Sequence, residues 1–156
     1  MNLNDSLKNI SSTLTGQTIT DDECEMLKSK LENQLIPEWL LTILQSFNLT
    51  GTSFSLGEDL DLSEMGVEMK WADPVEILRE KEELYPGLVA HIKGYLPVGI
   101  CLEGSGDPYF LKLSGGDNPV LVRIPHDSCD GDDLDESAVE IVSEKLSDFF
   151  DSATIE

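Results

Sequence analysis

YLPVGICLEGSGDPYFLKLSGGDNPVLVRI, residues 95–124, holds three apolar runs separated by two turns. Tyr95 to Leu102 reads as a strand, and Pro97 inside it marks an edge or a bulge, because proline gives the ladder no N–H. Gly104 to Asp107 is a turn, Tyr109 to Leu113 a second strand, and Ser114-Gly115-Gly116-Asp117-Asn118 a second turn. Val120 to Ile124, bounded by Pro119 and Pro125, is a third strand. Connections this short favour antiparallel pairing, because parallel neighbours need a long crossover.

Upstream, Val67, Met69 and Trp71 alternate with Glu68 and Lys70, and Thr52, Phe54 and Leu56 alternate with Ser53 and Ser55. Both patterns predict half-buried strands, with Gly57 to Gly66 an acidic loop between them. Asp73-Pro74-Val75-Glu76 opens a helix that runs to about Leu84: a capping Asp, Pro at the first helical position, Glu three past the cap. Pro86-Gly87 stops it. Earlier still, Thr20 and Glu23 form a capping box ahead of the stripe Cys24, Leu27, Leu31, Leu35. Pro37 begins a helix through Trp39, Leu40, Ile43, Leu44 and Phe47. Leu3, Leu7, Ile10 and Leu14 recur at helical spacing, so residues 1–19 read as an N-terminal helical arm docked on a single domain of residues 20–156.

Downstream, Asp127 to Glu136 is an acidic loop without apolar periodicity. Ser137 with Glu140 reads as a capping box for a C-terminal helix. Its inner face would be Val139, Val142, Leu146, Phe149 and Phe150, and its outer face Glu140, Glu144, Asp148 and Asp151. The expected fold is α+β: a mainly antiparallel sheet of about five strands with helices packed on it.

The 156 residues suit one domain, and the formal net charge is −21. A surface that negative repels nucleic acid and anionic membrane, so neither is an expected partner. The charge is patterned: residues 127–156 alone carry −10 of it. No apolar run approaches the roughly 18 residues that span a bilayer. The first ten residues lack the basic and apolar regions of a secretion signal. Cys24, Cys101 and Cys129 form neither a CxxC pair nor a disulfide framework, which suits reduced thiols and a cytoplasmic location.

No catalytic residue, metal site or cofactor is expected. His126-Asp127 lacks the third group that a triad or a metal site requires, so a local hydrogen bond accounts for it. His91 has no recognisable partner. In Asp130 to Glu136, a calcium loop with Gly131 at its sixth position would place His126 where an Asp ligand belongs. Gly104-Ser105-Gly106-Asp107 and Gly115-Gly116 neither precede a helix nor carry a phosphate-binding Lys. The loop carboxylates remain: Glu58, Asp59, Asp61 and Glu64, and then Asp130, Asp132, Asp133, Asp135 and Glu136. Their place in loops suits recognition of a protein partner.

The ordered set Trp71, Asp73-Pro74, Tyr95-Leu96-Pro97-Val98-Gly99, Gly106-Asp107-Pro108-Tyr109-Phe110-Leu111, Pro119-Val120, His126-Asp127 and Phe149-Phe150 resembles the SUKH superfamily. The likeness runs from about Thr20 to Ser152. The acidic insertion after Asp127 and a less aromatic terminal run depart from the family pattern. The resemblance implies a SUKH-like fold in which Trp71, Pro97, Gly99, Gly106, Asp107, Tyr109, Pro119, Val120, His126 and Asp127 are structural. It also implies a binding module without a catalytic residue set. Fungal members are interaction hubs; bacterial members are typically immunity proteins that neutralise a toxin domain encoded by a neighbouring gene. The function expected is therefore an immunity protein for a basic toxin domain such as a nuclease. The alternatives are a regulatory adaptor with several partners and, more distantly, a hydrolase or deaminase-like enzyme.

Overall fold

The structure is a computed structural model that describes residues 2–31, 36–103, 106–114 and 116–156. Leu35, Gly104, Ser105 and Gly115, and the side chain of Asp130, lie outside the described residues. Three helices open the chain: α1 (Leu3–Ile10), α2 (Asp21–Lys30) and α3 (Glu38–Ser46). Strands β1 (Ser53–Leu56) and β2 (Val67–Trp71) lead to α4 (Pro74–Glu83) and the single turn α5 (Gly87–Ala90). Then come β3 (Tyr95–Cys101), β4 (Tyr109–Lys112) and β5 (Val120–Arg123). The chain ends with β6 (Cys129–Asp130), β7 (Asp133–Leu134), β8 (Glu140–Ser143), α6 (Leu146–Ser152) and β9 (Thr154–Ile155).

The fold is α+β. Seven strands form one sheet in the order β8-β5-β4-β3-β2-β1-β9, and every pairing in it is antiparallel. The five expected strands are its continuous middle, β5 to β1. The count of about five is corrected by β8 and β9, which close the two edges, and by a separate ribbon of β6 and β7.

Local signals explain most boundaries. Thr20 and Glu23 cap α2 reciprocally at 3.1 and 2.9 Å, and Asp73 and Glu76 cap α4 at 2.8 and 3.0 Å. Each such cap stabilises its helix by about 1 kcal/mol. The Ser137–Glu140 capping box is not formed. Residues 140–143 pair with β5 as a strand, and the terminal helix starts only at Leu146. Val139, Ile141 and Val142 are β-branched and stiff at χ1, and the free edge of β5 offers them a ladder. Pro97 sits at a register shift between β3 and β4, so the bulge reading is the one realised, in a central strand.

One sheet face packs against α1–α3 and α6. Phe54, Trp71, Phe149 and Phe150 meet there with ring centroids 5.5–5.8 Å apart. Leu3, Leu7 and Leu14 of the N-terminal arm belong to that same core. On the other face, Tyr95, Phe110, Val122 and Ile124 pack with Val89 and Ala90 of α5 and with Leu134 of the ribbon. Helix α4 lies along that face, tied by the Lys70–Glu76 ion pair at 3.1 Å. Among the described residues, no helix is long and apolar enough to cross a membrane.

Candidate functional site

Strand β5 alternates Leu121 and Arg123 on one face with Val122 and Ile124 on the other. A guanidinium therefore arrives on the core side of the sheet, where Arg123 is only 5% exposed. The loop 57–66 closes over it. Arg123 donates to the Gly66 carbonyl at 2.6 Å, the Ser63 hydroxyl at 2.9 Å and the Asp61 carboxylate at 3.1 Å. It also donates to the Tyr109 hydroxyl and to Glu140, each at 3.3 Å, and lies over the Tyr109 ring. Burial works against the guanidinium charge, but Tyr109 and Asp61 overcome it and hold its pKa above the ordinary arginine value. Burial is also the main cause that pushes the Tyr109 phenol up, with Arg123 pulling the other way.

Asp61, expected among the partner-binding carboxylates, is instead the buried counter-charge at 2% exposure. Its other oxygen accepts from the Ser63 N–H and hydroxyl at 2.8 and 2.7 Å, which folds the loop onto itself. Glu64 follows in the left-handed region at φ 65°. A non-glycine residue there costs about 1 kcal/mol or more, so the surrounding bonds must hold it. The loop is a fixed shape that presents Glu58, Asp59 and Glu64 outward, with Leu60, Leu62 and Met65 each more than half exposed.

A cleft of about 600 Å³ runs beside this loop, and Tyr109 and Met65 line it. Five carboxylates face it: Glu58, Glu68, Glu103, Asp107 and Glu140. Arg123 is the one basic side chain among its described lining residues, and its donors are already engaged. Burial, then the neighbouring Glu156 and Glu103, push the Glu68 carboxyl above its ordinary value. On the loop's other side, Leu60 and Leu62 border a notch of about 310 Å³ rimmed by Glu144 and Asp148.

The second acidic segment has a different character. It is the β6–β7 ribbon, and Leu134 anchors it at 2% exposure, where the sequence pattern suggested no buried face. Asp133 pairs with Lys93 at 3.0 Å, and that contact holds its carboxyl below the usual range. Glu136 pairs with Lys112 at 3.7 Å and accepts from the Tyr95 hydroxyl at 3.2 Å. Asp135 caps the short turn that follows through Ser137. Asp132 stands exposed at the ribbon's turn. Ribbon and loop lie on opposite faces of the sheet, so the two acidic segments do not form one surface.

The residues behind the family resemblance divide between core and cavity. Trp71 and Tyr109 are buried, Pro119 accepts from the Leu146 N–H at 2.8 Å, and Val120 begins β5. Pro97, Gly99, Gly106 and His126 line one cavity of about 220 Å³ against α4. Gly99 is closely packed: a Cβ there would lie 2.4 Å from the Met69 methyl, which would have to move aside, and 3.0 Å from the Tyr109 Cβ. The carboxylate that holds His126 is Asp107, 2.6 Å from Nδ1 and 3.1 Å from the backbone N–H. Asp127, its sequence neighbour, stands exposed. Among the described residues, no group of three or more His, Cys, Asp or Glu side chains is placed to hold a metal ion. Arg123, Ser63 and Glu80 are the side chains that sequence reasoning missed. Only Arg123 left a signal, a lone charge at an inward position of an alternating strand.

No protein-family model, curated protein or solved structure matches this chain.

Proposed function

We propose that this chain is a SUKH-like protein-binding module of the immunity type, and that loop 57–66 with its flanking cleft takes a basic toxin domain. One observation carries the reading. A loop locked from beneath by Arg123 presents exposed Leu60, Leu62 and Met65 beside a cleft faced by five carboxylates. Interfaces draw their affinity from a few apolar anchors and their encounter rate from complementary charge. This loop has both. Its preformed shape also reduces the ordering cost of binding. The Arg123–Asp61 pair is the scaffold of the surface and not a contact, because its donors and acceptors are spent inside the protein. A nuclease domain suits the cleft, since a groove that binds phosphate is basic.

The test is co-expression with a basic C-terminal toxin domain encoded beside this chain. The chain should rescue growth, and the triple variant Glu58→Gln, Asp59→Asn, Glu64→Gln should rescue less well. Failure of the native chain to rescue, or equal rescue by the triple variant, would end this reading.

A further inference from the structure

We propose that the cavity between α4 and the segment leading into β4 binds a guanidinium group, either a polypeptide's arginine side chain or a free arginine-like molecule. It lies on the sheet face opposite loop 57–66, so the inference stands whether or not that loop binds a toxin.

Leu84, Pro97, Ile100 and Pro108 form the apolar part of the cavity's lining. Glu76, Arg79 and Glu80 of α4 line one wall, and His126 from the segment after β5 lines another; Glu80 and His126 are the two on which the proposal rests. Glu80 accepts, and so can a neutral His126: Asp107 lies 2.6 Å from its Nδ1, so the neutral ring that donates there keeps its lone pair on Nε2. Glu80 Oε2 accepts the Gly87 N–H at 3.0 Å. Gly87 also lets the backbones close up, since a Cβ there would sit 2.0 Å from the Glu80 carbonyl oxygen. The carboxylate is thus held at one place by a rigid junction.

Glu80 makes no ion pair among the described residues, although Arg79 lines the same cavity. Lys70 is spent on Glu76 at 3.1 Å, and Arg79 turns along the helix toward Glu83 at 3.8 Å. The other titratable groups around it are Cys101 on the cavity wall, Cys129, whose thiol burial and then Glu80 push up, and His91, whose Nδ1 lies 3.1 Å from the Gly87 carbonyl oxygen. Burial accordingly raises the Glu80 carboxyl to about 7, with Gly87 and His126 only partly offsetting it. A ligand that brings a positive charge and N–H donors would complete the site. A guanidinium fits better than an ammonium: its planar fork can reach acceptors on two walls at once, and its weakly hydrated faces tolerate the apolar lining.

Calorimetry on the full chain at pH 6 and pH 8 tests this with three probes: Nα-acetyl-arginine methylamide, free arginine, and the citrulline counterpart of the first, which replaces the cation with a neutral urea. The arginine probes should bind, about tenfold more weakly at pH 6, where Glu80 must first give up a proton. At pH 6 close to one proton should be released, read from buffers of different ionisation enthalpy. Tighter binding of free arginine marks a small-molecule site; equal or tighter binding of the capped probe marks a polypeptide side chain. Glu80→Gln keeps the Gly87 bond and should weaken binding at pH 8 at least about tenfold, and His126→Ala should weaken it too. The proposal is overturned if the citrulline probe binds as tightly as the arginine probe. It is equally overturned if Glu80→Gln binds arginine like the native chain, or if no arginine probe gives a signal up to about 10 mM.

Discussion

Arg123 and Asp61 illustrate how little a buried ion pair adds and how much its disruption costs. Taking both charges out of water consumes most of what their attraction returns, so the pair is close to neutral as a whole. Removing one side strands the other. Arg123→Met should lose about 3–5 kcal/mol in urea unfolding, because the Asp61 carboxyl is left buried at 2% exposure without its partner. Adding Asp61→Leu should recover much of the loss; no recovery would mean that the damage lies in packing. Glu80 supplies a second residue-scale expectation, with its sign set by linkage. Its carboxyl rises from 4.5 to about 7 in the fold. The native state therefore holds a proton that the unfolded chain has already lost. That contribution is complete below pH 4.5 and is lost as pH rises through 7. Allowing for solvent screening, it is worth about 1 kcal/mol, or ~2–4 °C in Tm. Glu80→Gln should melt above the native chain at pH 8, with the difference closing by pH 4. An unchanged difference across that range would contradict the shift. Neither residue was equally legible in the sequence. Arg123 could be read as an odd charge in an inward register, whereas the environment of Glu80 depends on Gly87 and His126, 7 and 46 positions away.

At the scale of elements, the sequence was most readable where one period ruled alone. The strands Val67–Trp71 and Tyr109–Lys112 and the two capping boxes emerged close to their expected limits. The tail was not, because Val139, Val142, Leu146 and Phe149 fit a helical stripe while Val139, Ile141 and Val142 favour a strand. Which one wins depends on the free edge of β5, and that edge exists only once the sheet has formed. The ribbon was missed for a related reason: its one fully buried apolar residue, Leu134, stands among carboxylates, with only Cys129 of the ribbon packing beside it. Leu134→Ala should therefore cost about 2–5 kcal/mol, the range for truncating a buried leucine to alanine. Asp133→Asn breaks only a solvent-screened pair with Lys93 and should cost much less. Chemical denaturation of both variants measures the contrast. Comparable losses would mean that charge, not packing, seats the ribbon.

At the scale of the molecule, the net charge of −21 says that the surface is acidic without saying where a partner would sit. The fold divides that charge. It neutralises part of the ribbon through Lys93 and Lys112, and leaves Glu58, Asp59 and Glu64 outward on a loop tied down beneath. Steering by such charges acts mainly on encounter, because rim charges are solvated both before and after binding. With a basic partner, Glu58→Gln, Asp59→Asn and Glu64→Gln together should slow association several-fold at low salt and flatten its salt dependence. Dissociation should change little, since the anchors Leu60, Leu62 and Met65 remain. The exposed charges are screened over about 8 Å at physiological salt, so the native on-rate should fall toward that of the variant as salt rises. Asp132→Asn with Asp135→Asn removes two charges, against three, on the opposite face. If global charge alone drives encounter, the ribbon variant will slow it by about two thirds as much, on a logarithmic scale, as the loop variant. If the loop is the recognition surface, the loop variant will slow association and the ribbon variant will not. Stopped-flow association at two salt concentrations separates the cases. A larger effect from the ribbon pair would place the interface on the α5 face and remove loop 57–66 from consideration.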